Sequence, residues 1–405
     1  MYIHTMWKSR KGDKDMTEFY GYRRAEGRPG IRNYVLILPT SVCASDVANI
    51  IAGQVDGAVS FHNQVGCSQV TSDLEMSFDF EVGFAANPNV YAVVLVSLGC
   101  EGCQCDEVAD RIAKRTSKPV AKVIIQEARG TLKAVEQGVR YAKQFAAEAS
   151  MMQKEKFPIT ELLMATECGG SDPTSGIAAN NVIGALSDRL VDEGAATILS
   201  ETPEFIGGEH LLAERGATPE VHDRVLEIVH RFEDSVRRAC GEDIRSGNPT
   251  PGNKAGGITT LEEKSLGCIH KGGSRPISAV YDYAKEIPAD QKGLVIMDTP
   301  GNDPSSMTGM AAGGAQVCVF STGRGTALGN PIMPVIKITG NADTFDKMED
   351  NIDFDASRYI KGTHSIDELR DELYSLLVET CCGKQTKSEA LGINEIAVMR
   401  TCNYV

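Results

Sequence analysis

What most limits the fold of this chain is a repeated alternation. A short, wholly apolar run is followed by a longer stretch with apolar residues at helical spacing. Tyr34–Pro39 (YVLILP) leads into a helical pattern from Ser45 (SDVANIIAGQV). Ala58–His62 (AVSFH), Tyr91–Leu98 (YAVVLVSL) and Pro119–Gln126 (PVAKVIIQ) read as further strands. Asp106–Arg115 and Thr131–Ser150 read as helices, the latter with Leu132, Val135, Val139 and Phe145 at helical spacing. Runs without a polar alternate are those of strands buried on both faces, which is the condition of parallel strands. After the polar stretch Met151–Pro158 (MMQKEKFP), read as a linker, a second series begins. Its strands are Glu161–Thr166, Ala196–Ser200, Gly293–Asp298, Gln316–Phe320 and Val335–Ile338. Its helices are Ile177–Glu193, Thr218–Cys240 and Ser365–Leu377. The pattern predicts an α/β protein with parallel, doubly wound sheets in two consecutive domains, 16–155 and 156–405. Residues 1–15 lack the apolar core of a signal peptide and read as a leader ahead of a natural start at Met16.

Composition matters for what it excludes. A formal net charge of −14 leaves no basic excess to neutralise phosphates, so a nucleic-acid surface is not expected. A small anionic ligand stays open, because a local set of Arg, Lys and backbone N–H groups overrides the global charge. No apolar run approaches the roughly 20 residues of a membrane helix. The 12 cysteines of 405 residues, without an export signal, point to a reducing, cytoplasmic setting with thiols that are free, buried or metal-binding.

In open α/β sheets, ligands bind at the carboxyl ends of the strands. Those ends carry His62 through Cys67, then Gly99-Cys100-Glu101, then Glu167-Cys168-Gly169-Gly170-Ser171-Asp172. Further on come Thr299 through Asp303 and Thr322-Gly323-Arg324-Gly325. Cys67, Cys100 and Cys168 are candidate soft ligands for iron, with His62 and Glu101 or Glu167 nearby. Three thiolates with an open position also suit an iron–sulfur cluster, and the alternative is that they are small buried hydrophobes. Asp172 reads as a helix cap with Pro173 after it, where free N–H groups of the first turn suit a carboxylate. A lone Arg324 between glycines offers a bidentate fork for a carboxylate. The stretch Gly247–Gly273 is dense in charge and glycine, with Asn253, Lys254, Glu263, Lys264, His270 and Lys271. It reads either as a solvated connection or as a wall that holds a polar ligand. No phosphate loop or dinucleotide fingerprint follows the first strand.

Together these residues resemble the large catalytic part of the altronate dehydratase / galactarate dehydratase family. The matching pieces are Gly30-Ile31-Arg32-Asn33-Tyr34, His62 through Cys67, Leu98 through Glu101, Glu167 through Asp172, Thr250-Pro251-Gly252-Asn253-Lys254, Gly256-Gly257, Glu263-Lys264 and Thr322 through Gly325. Single-chain members carry an added SAF-type domain that this chain lacks. The resemblance is therefore to the split form, and it implies a separate small SAF-type subunit and an oligomeric assembly. The large subunit of sulfolactate sulfo-lyase is a relative with that layout, and Asn330 through Pro334 is similar to it. Met297 through Gly301 and Gly323 through Gly325 are more similar to the sugar-acid branch.

The implied activity is β-elimination of water from a hexonate or hexarate to give a 2-keto-3-deoxy acid. The implied cofactor is Fe(II), with Mn(II) or an iron–sulfur cluster as alternatives. The carboxylate must be neutralised and the enediolate stabilised, which suits a metal and Arg324. Lys254 or His62 is the expected base, with Glu263 as a partner. Asn253, Thr322, Gly323, Ser171 and Asp172 are the expected substrate contacts. Two other classes remain: a ligand-binding protein of the same fold, and a thiol redox protein using Cys100, Cys103 and Cys105.

Overall fold

Apolar runs that need cover on both faces form two parallel sheets with helices packed around them. The computed structural model describes residues 17–405, and the leader expected over residues 1–15 lies outside the described residues. In chain order, β1 (Glu18–Gly21) stands apart. β2 (Tyr34–Pro39), β3 (Ala58–Val59), β4 (Val90–Ser97) and β5 (Val120–Ile124) make the first sheet, in the order β3-β2-β4-β5. β6 (Glu155–Pro158) returns to pair antiparallel with β1, so the stretch read as a linker supplies a strand. β7 (Leu163–Cys168), β8 (Ala196–Leu199), β9 (Ile277–Tyr281), β10 (Gly293–Met297), β11 (Val317–Ser321), β12 (Val335–Thr339) and β13 (Phe354–Asp355) make the second. Its order is β13-β12-β11-β7-β8-β10-β9, with every neighbouring pair parallel. Among the described residues no helix is long and apolar enough to cross a membrane.

Successive side chains of a strand leave by opposite faces, and β11 shows the consequence. Val317 and Val319 pack with Val182, Leu186, Leu369 and Leu373 from helices Asn180–Asp192 and Ile366–Cys381. Cys318 and Phe320 enter a second cluster with Met307 and Met310 of helix Asp303–Ala312. That cluster also takes Phe80 and Phe84 of helix Thr71–Ala86, and Leu36, Leu38, Val93 and Leu95 of the first sheet. The two sheets thus share one core through a pair of buried helices.

The Arg32 of the Gly30–Tyr34 motif is part of this join. Its Nε and Nη2 donate to the two oxygens of Glu389 at 2.7 and 2.9 Å, and its Nη1 donates to the Thr380 carbonyl at 2.8 Å. Tyr34 Oη adds a 2.7 Å bond to Glu389. Both ion-pair side chains are 9% exposed. Burial pushes the Glu389 carboxyl up, but the Arg32 guanidinium overrides this and holds it below its ordinary value. The folded carboxyl therefore titrates lower than the unfolded one. Its stabilisation is complete at neutral pH and is lost as the pH falls through the folded value. Glu389→Ala strands a buried guanidinium and is expected to cost about 3–5 kcal/mol. The checks are a fall in the thermal midpoint at pH 7 and a smaller difference from the parent protein at pH 4.

Candidate active site

In the second sheet the strand order reverses between β7 and β11. The chain moves one way from β7 through β8, and the other way through β11, β12 and β13. Cys168 and Ser321, the last residues of these two strands, lie side by side in register. A crevice at such a reversal is where α/β sheets bind ligands. It is also where this chain buries its charges.

Glu167 and Cys168 close β7. Glu201 follows β8 in the left-handed region, at φ 71°, a conformation uncommon for a residue with a Cβ and one that surrounding contacts must enforce. Its N–H donates to Thr299 Oγ1 at 2.7 Å, and its Oε2 accepts from the Cys168 N–H at 3.0 Å and from Lys271 Nζ at 2.6 Å. Lys271, on the turn Ile269–Gly272, is wholly buried and also donates to Cys168 Sγ at 2.8 Å. Cys268 Sγ lies 3.5 Å from Cys168 Sγ and donates to Glu204 Oε2 at 2.7 Å. The other oxygen of Glu204 meets Lys264 Nζ at 2.5 Å. Glu167 Oε2 accepts from Ser306 Oγ at 2.6 Å and Ser200 Oγ at 3.3 Å. Asp303 leans over Gly169, where a Cβ would come within 1.9 Å of Asp303 Oδ2, so only glycine fits.

The electrostatics follow from this crowding. Burial, then the charge of Glu201, pushes the Asp303 carboxyl up to about 7. The same two causes push Glu167 well above the carboxylate range. The Cys268 thiol and burial push Cys168 up. Lys271 stays protonated in spite of its burial, because Cys168 and Glu201 favour the ammonium. Two sets of ligand-capable atoms lie within 4.8 Å of one another: Cys168, Glu204 and Cys268, and Glu167, Glu201 and Asp303.

Two depressions open on either side of Asp172. One, of about 270 Å³, is lined by Ser171, Asp172, Glu263, Lys264 and Cys268 among others. The other, of about 450 Å³, is lined by Asp172, Gly256, Arg324, Asn341 and Lys347 among others. The Arg324 guanidinium is exposed there, with no side-chain partner among the described residues. Asp172 accepts from Thr174 Oγ1 at 2.6 Å and from Asn341 Nδ2 at 2.9 Å. Gly323 packs so close that a Cβ would lie 2.3 Å from Asp172 Oδ1. Thr322 Oγ1 caps its own turn by accepting from the Gly325 N–H at 2.9 Å.

The sequence candidates divide between two places. Ser171, Asp172, Asn253, Glu263, Thr322, Gly323, Arg324 and Cys168 belong to this end of the second sheet. Lys254 is exposed on the short helix Pro251–Gly256, with no side-chain partner among the described residues. The Glu263 carboxylate accepts from Thr259 Oγ1 at 2.6 Å and the Thr259 N–H at 2.8 Å, bonds that hold it below its ordinary value. His62, Cys67 and Cys100 follow strands of the first sheet. His62 is exposed, 3.8 Å from Asp46, and Cys100 is exposed. Among the described residues none of these three joins a ligand-capable group with Cys168. Glu101 clasps its own turn, accepting from Thr40 Oγ1 at 2.7 Å and the N–H groups of Leu98 and Gly99 at 2.8 and 2.6 Å. Cys103 and Cys105 are buried, and burial pushes the Cys105 thiol up to about 12, which disfavours the thiolate a redox role needs. The sequence reading did not single out Glu201, Glu204 or Cys268 as site residues. Glu201 directly follows a predicted strand, so the strand-end rule applied at Ala196–Ser200 would have found it.

Comparison with known proteins shows the family. Residues 159–404 match the profile described as D-galactarate/Altronate dehydratase, C-terminal, and residues 21–150 match D-galactarate dehydratase/Altronate hydrolase, second domain. The chain belongs to the galactarate/altronate dehydratase family. It is 37% identical over 383 residues to (2R)-sulfolactate sulfo-lyase subunit beta of Chromohalobacter salexigens, covering 94% of this chain and 97% of that subunit. It is 34% identical over 390 residues to the altronate dehydratase of Escherichia coli, covering 94% of this chain and 77% of that protein. To the altronate dehydratase of Bacillus subtilis it is 31% identical over 393 residues, covering 95% and 78%. These relatives are lyases, and this chain is an enzyme of the same class.

Asn253 shows how the Gly247–Gly273 stretch is seated. Its Oδ1 accepts from Thr250 N–H at 3.0 Å and Thr250 Oγ1 at 2.9 Å, while its Nδ2 donates to the Ser171 carbonyl at 2.9 Å. All its polar atoms are engaged by the protein, so it positions the wall. Asn253→Ala is expected to cost about 1–3 kcal/mol and to speed hydrogen exchange over residues 247–259, with little change around Arg32. Equal exchange in parent and variant would remove this positioning role.

Proposed function

We propose that this chain is the large catalytic part of a cytoplasmic hydro-lyase. It dehydrates a sugar acid of the altronate type, a hexonate or hexarate, to a 2-keto-3-deoxy acid. The observation that carries the reading is the presence, at the strand reversal, of both an unpartnered Arg324 guanidinium and a buried cluster of carboxyl, thiol and ammonium groups.

Arg324 holds the substrate carboxylate by its planar fork. Neutralising that carboxylate makes the C2 proton easier to remove, and positive charge near the developing enediolate lowers the barrier. Lys264 and Cys268 line the smaller depression and both bond Glu204. The Lys264 ammonium supplies charge there, and the Glu204 carboxylate, the basic member of the three, receives the C2 proton. Lys254 and Glu263 stand on the same wall as rim contacts. The C2–H electrons form the C2–C3 double bond, the C3–O bond breaks, the departing hydroxide takes up the proton removed from C2 and leaves as water, and the enol tautomerises to the keto acid. The family resemblance implies iron, and the buried donors fit a divalent ion: three carboxylates converge and Glu167 Oε1 has no hydrogen-bond partner. Such an ion supplies Lewis-acid help to the leaving hydroxyl.

A second reading has one specific support. The chain spans 97% of the sulfo-lyase subunit beta but 77% of an altronate dehydratase. With a sulfonate at C3 the same elimination releases sulfite and gives pyruvate. In both readings a separate small SAF-type subunit completes the enzyme within an oligomeric assembly.

The test is a panel of hexonates, hexarates and (2R)-sulfolactate assayed with Fe(II), with and without a small subunit. Formation of a 2-keto-3-deoxy acid supports the first reading, sulfite release replaces it with the second, and turnover of none of them sinks both. Arg324→Ala is expected to lower kcat/KM about ten- to a hundredfold, the worth of a charge-assisted bidentate contact. The loss should fall mainly on KM and leave the thermal midpoint unchanged. An unaltered KM would take the carboxylate away from Arg324.

A further inference from the structure

Two thiols at the strand reversal lie close enough to react with one another. Cys168 is the last residue of β7, and Cys268 is the last residue of helix Leu261–Cys268. Both are free thiols, and their Sγ atoms are 3.5 Å apart. A disulfide needs the sulfurs at about 2.05 Å, so the pair must close by about 1.5 Å. Rotation about two Cα–Cβ bonds gives a movement of that size.

The hydrogen bonds around the pair run in one direction. Lys271 Nζ donates to Cys168 Sγ at 2.8 Å, and Cys268 Sγ donates to Glu204 Oε2 at 2.7 Å. The Cys168 thiol is therefore the donor between the two sulfurs. Cys268 is the sulfur whose proton has a carboxylate to receive it. It also lines the depression of about 270 Å³, whereas Cys168 lies behind it and is no part of that lining. One sulfur thus faces an opening and has a base, and the other stands ready to resolve what forms on the first. The Cys168 contact lowers the Cys268 thiol, but burial and the Glu204 charge outweigh it and leave the thiol above its ordinary value. The thiolate arises only as the proton passes to Glu204, so the reaction is slower than at an exposed, ionised cysteine.

We propose that Cys268 and Cys168 form a reversible disulfide when the protein meets a peroxide, and that this bond displaces the Lys264–Glu204 pair. The Cys268 sulfur attacks one peroxide oxygen while its proton passes to Glu204. The O–O bond breaks, and the departing hydroxide takes that proton and leaves as water. Cys268 is then a sulfenic acid. The Cys168 sulfur attacks the Cys268 sulfur, the S–O bond breaks, and the hydroxide leaves as water with the Cys168 proton. The sulfurs together give up two electrons, which the peroxide takes. Lys264 stands one turn before Cys268 on the same helix, so drawing Cys268 toward β7 moves Lys264 as well and takes the thiol donor away from Glu204. The effect on catalysis rests on the lyase reading above, whereas the bond itself does not.

The experiment treats the full-length protein with hydrogen peroxide, alkylates the remaining thiols and maps the linked peptides by mass. Activity on the acid that the panel identifies is measured with Fe(II) restored, before and after dithiothreitol. The parent protein is expected to give a Cys168–Cys268 linked peptide, lighter by two hydrogens than its reduced parts, that dithiothreitol abolishes. Its activity should fall at least about tenfold in step with the linkage and return on reduction, since a misplacement of about 1 Å at a reacting group costs up to about a hundredfold. Cys168→Ala should give no linked peptide and should leave a Cys268 sulfenic acid that dimedone labels. Cys268→Ala should give neither the linkage nor a dimedone adduct at Cys168. The thermal midpoint of each reduced variant checks that it folds, and the parent mapping stands without them. Cys168 and Cys268 both remaining reduced while the exposed Cys43, Cys100 and Cys402 are oxidised overturns the pair. So does a disulfide from either to another cysteine. Linkage with full activity overturns the displacement of Glu204. Linkage in a protein that turns over no acid of the panel leaves the disulfide standing and removes the proposed function instead.

Discussion

The buried ammonium of Lys271 is the contact on which the rest of the site depends. Stripping water from an ammonium costs several kcal/mol unless its hydrogens find acceptors. Lys271 finds Cys168 Sγ and Glu201 Oε2 on the ends of two adjacent strands. The requirement runs in both directions. The carboxylate of Glu201 needs the ammonium, and the ammonium fixes the turn Ile269–Gly272 against the sheet. The glycine-rich stretch before it is thereby seated. Helices Pro251–Gly256 and Leu261–Cys268 lead into that turn, and Asn253 ties the first of them to the loop after β7. A stretch that composition alone would allow to be a solvated connection becomes a wall of the crevice because its far end carries a buried charge.

The parallel sheet explains why the charges gather at one end. Strands that all point the same way deliver all their following residues to one edge. Glu167 after β7's apolar run, Glu201 after β8, Thr299 and Asp303 after β10 and Thr322 after β11 come together for this reason alone. Helix Asp303–Ala312 places Asp303 in its first turn, above Gly169. The polar groups are shielded from water by the same helices that carry the shared core, and low polarity strengthens every interaction among them.

How much of this was legible in the sequence depends on whether burial leaves a periodic trace. The apolar strands β2, β4, β7, β10 and β11 were readable because parallel strands are apolar on both faces. Helices Thr71–Ala86 and Asp303–Ala312 were not, because they lie between the two sheets and are covered nearly all round. Asp73, Ser77 and Glu81 of the first, and Ser305, Ser306 and Thr308 of the second, are buried, so no polar stripe marks a helical period. The strand-end rule led to Cys168, Asp172 and Thr322. It also suggested that Cys67 and Cys100 join Cys168, and here sequence order misled. All three sit at strand ends in the sequence pattern, but the first two follow β3 and β4 while Cys168 closes β7, in another sheet. Local pattern carries no record of which sheet a strand enters.

The motifs shared with the family also separate once their contacts are known. Arg32 and Tyr34 clasp Glu389 and join the start of β2 to the segment Lys387–Ala390, far from any candidate chemistry. Asn253 spends all its side-chain hydrogen bonds on Thr250 and Ser171, and Glu263 spends its own on Thr259 at the start of its helix. Arg324 and Lys254 are the charged motif residues of the second sheet's crevice whose cations find no side-chain partner among the described residues, and of the two Arg324 lines a depression. A family signature therefore mixes residues kept for joining the sheets, for seating a wall and for meeting a ligand. What tells them apart is whether the protein itself has already satisfied their polar atoms. By that criterion the groups left for a ligand are the cations of Arg324 and Lys254 at the surface, while the buried Glu167 keeps one oxygen to which the protein donates no hydrogen bond.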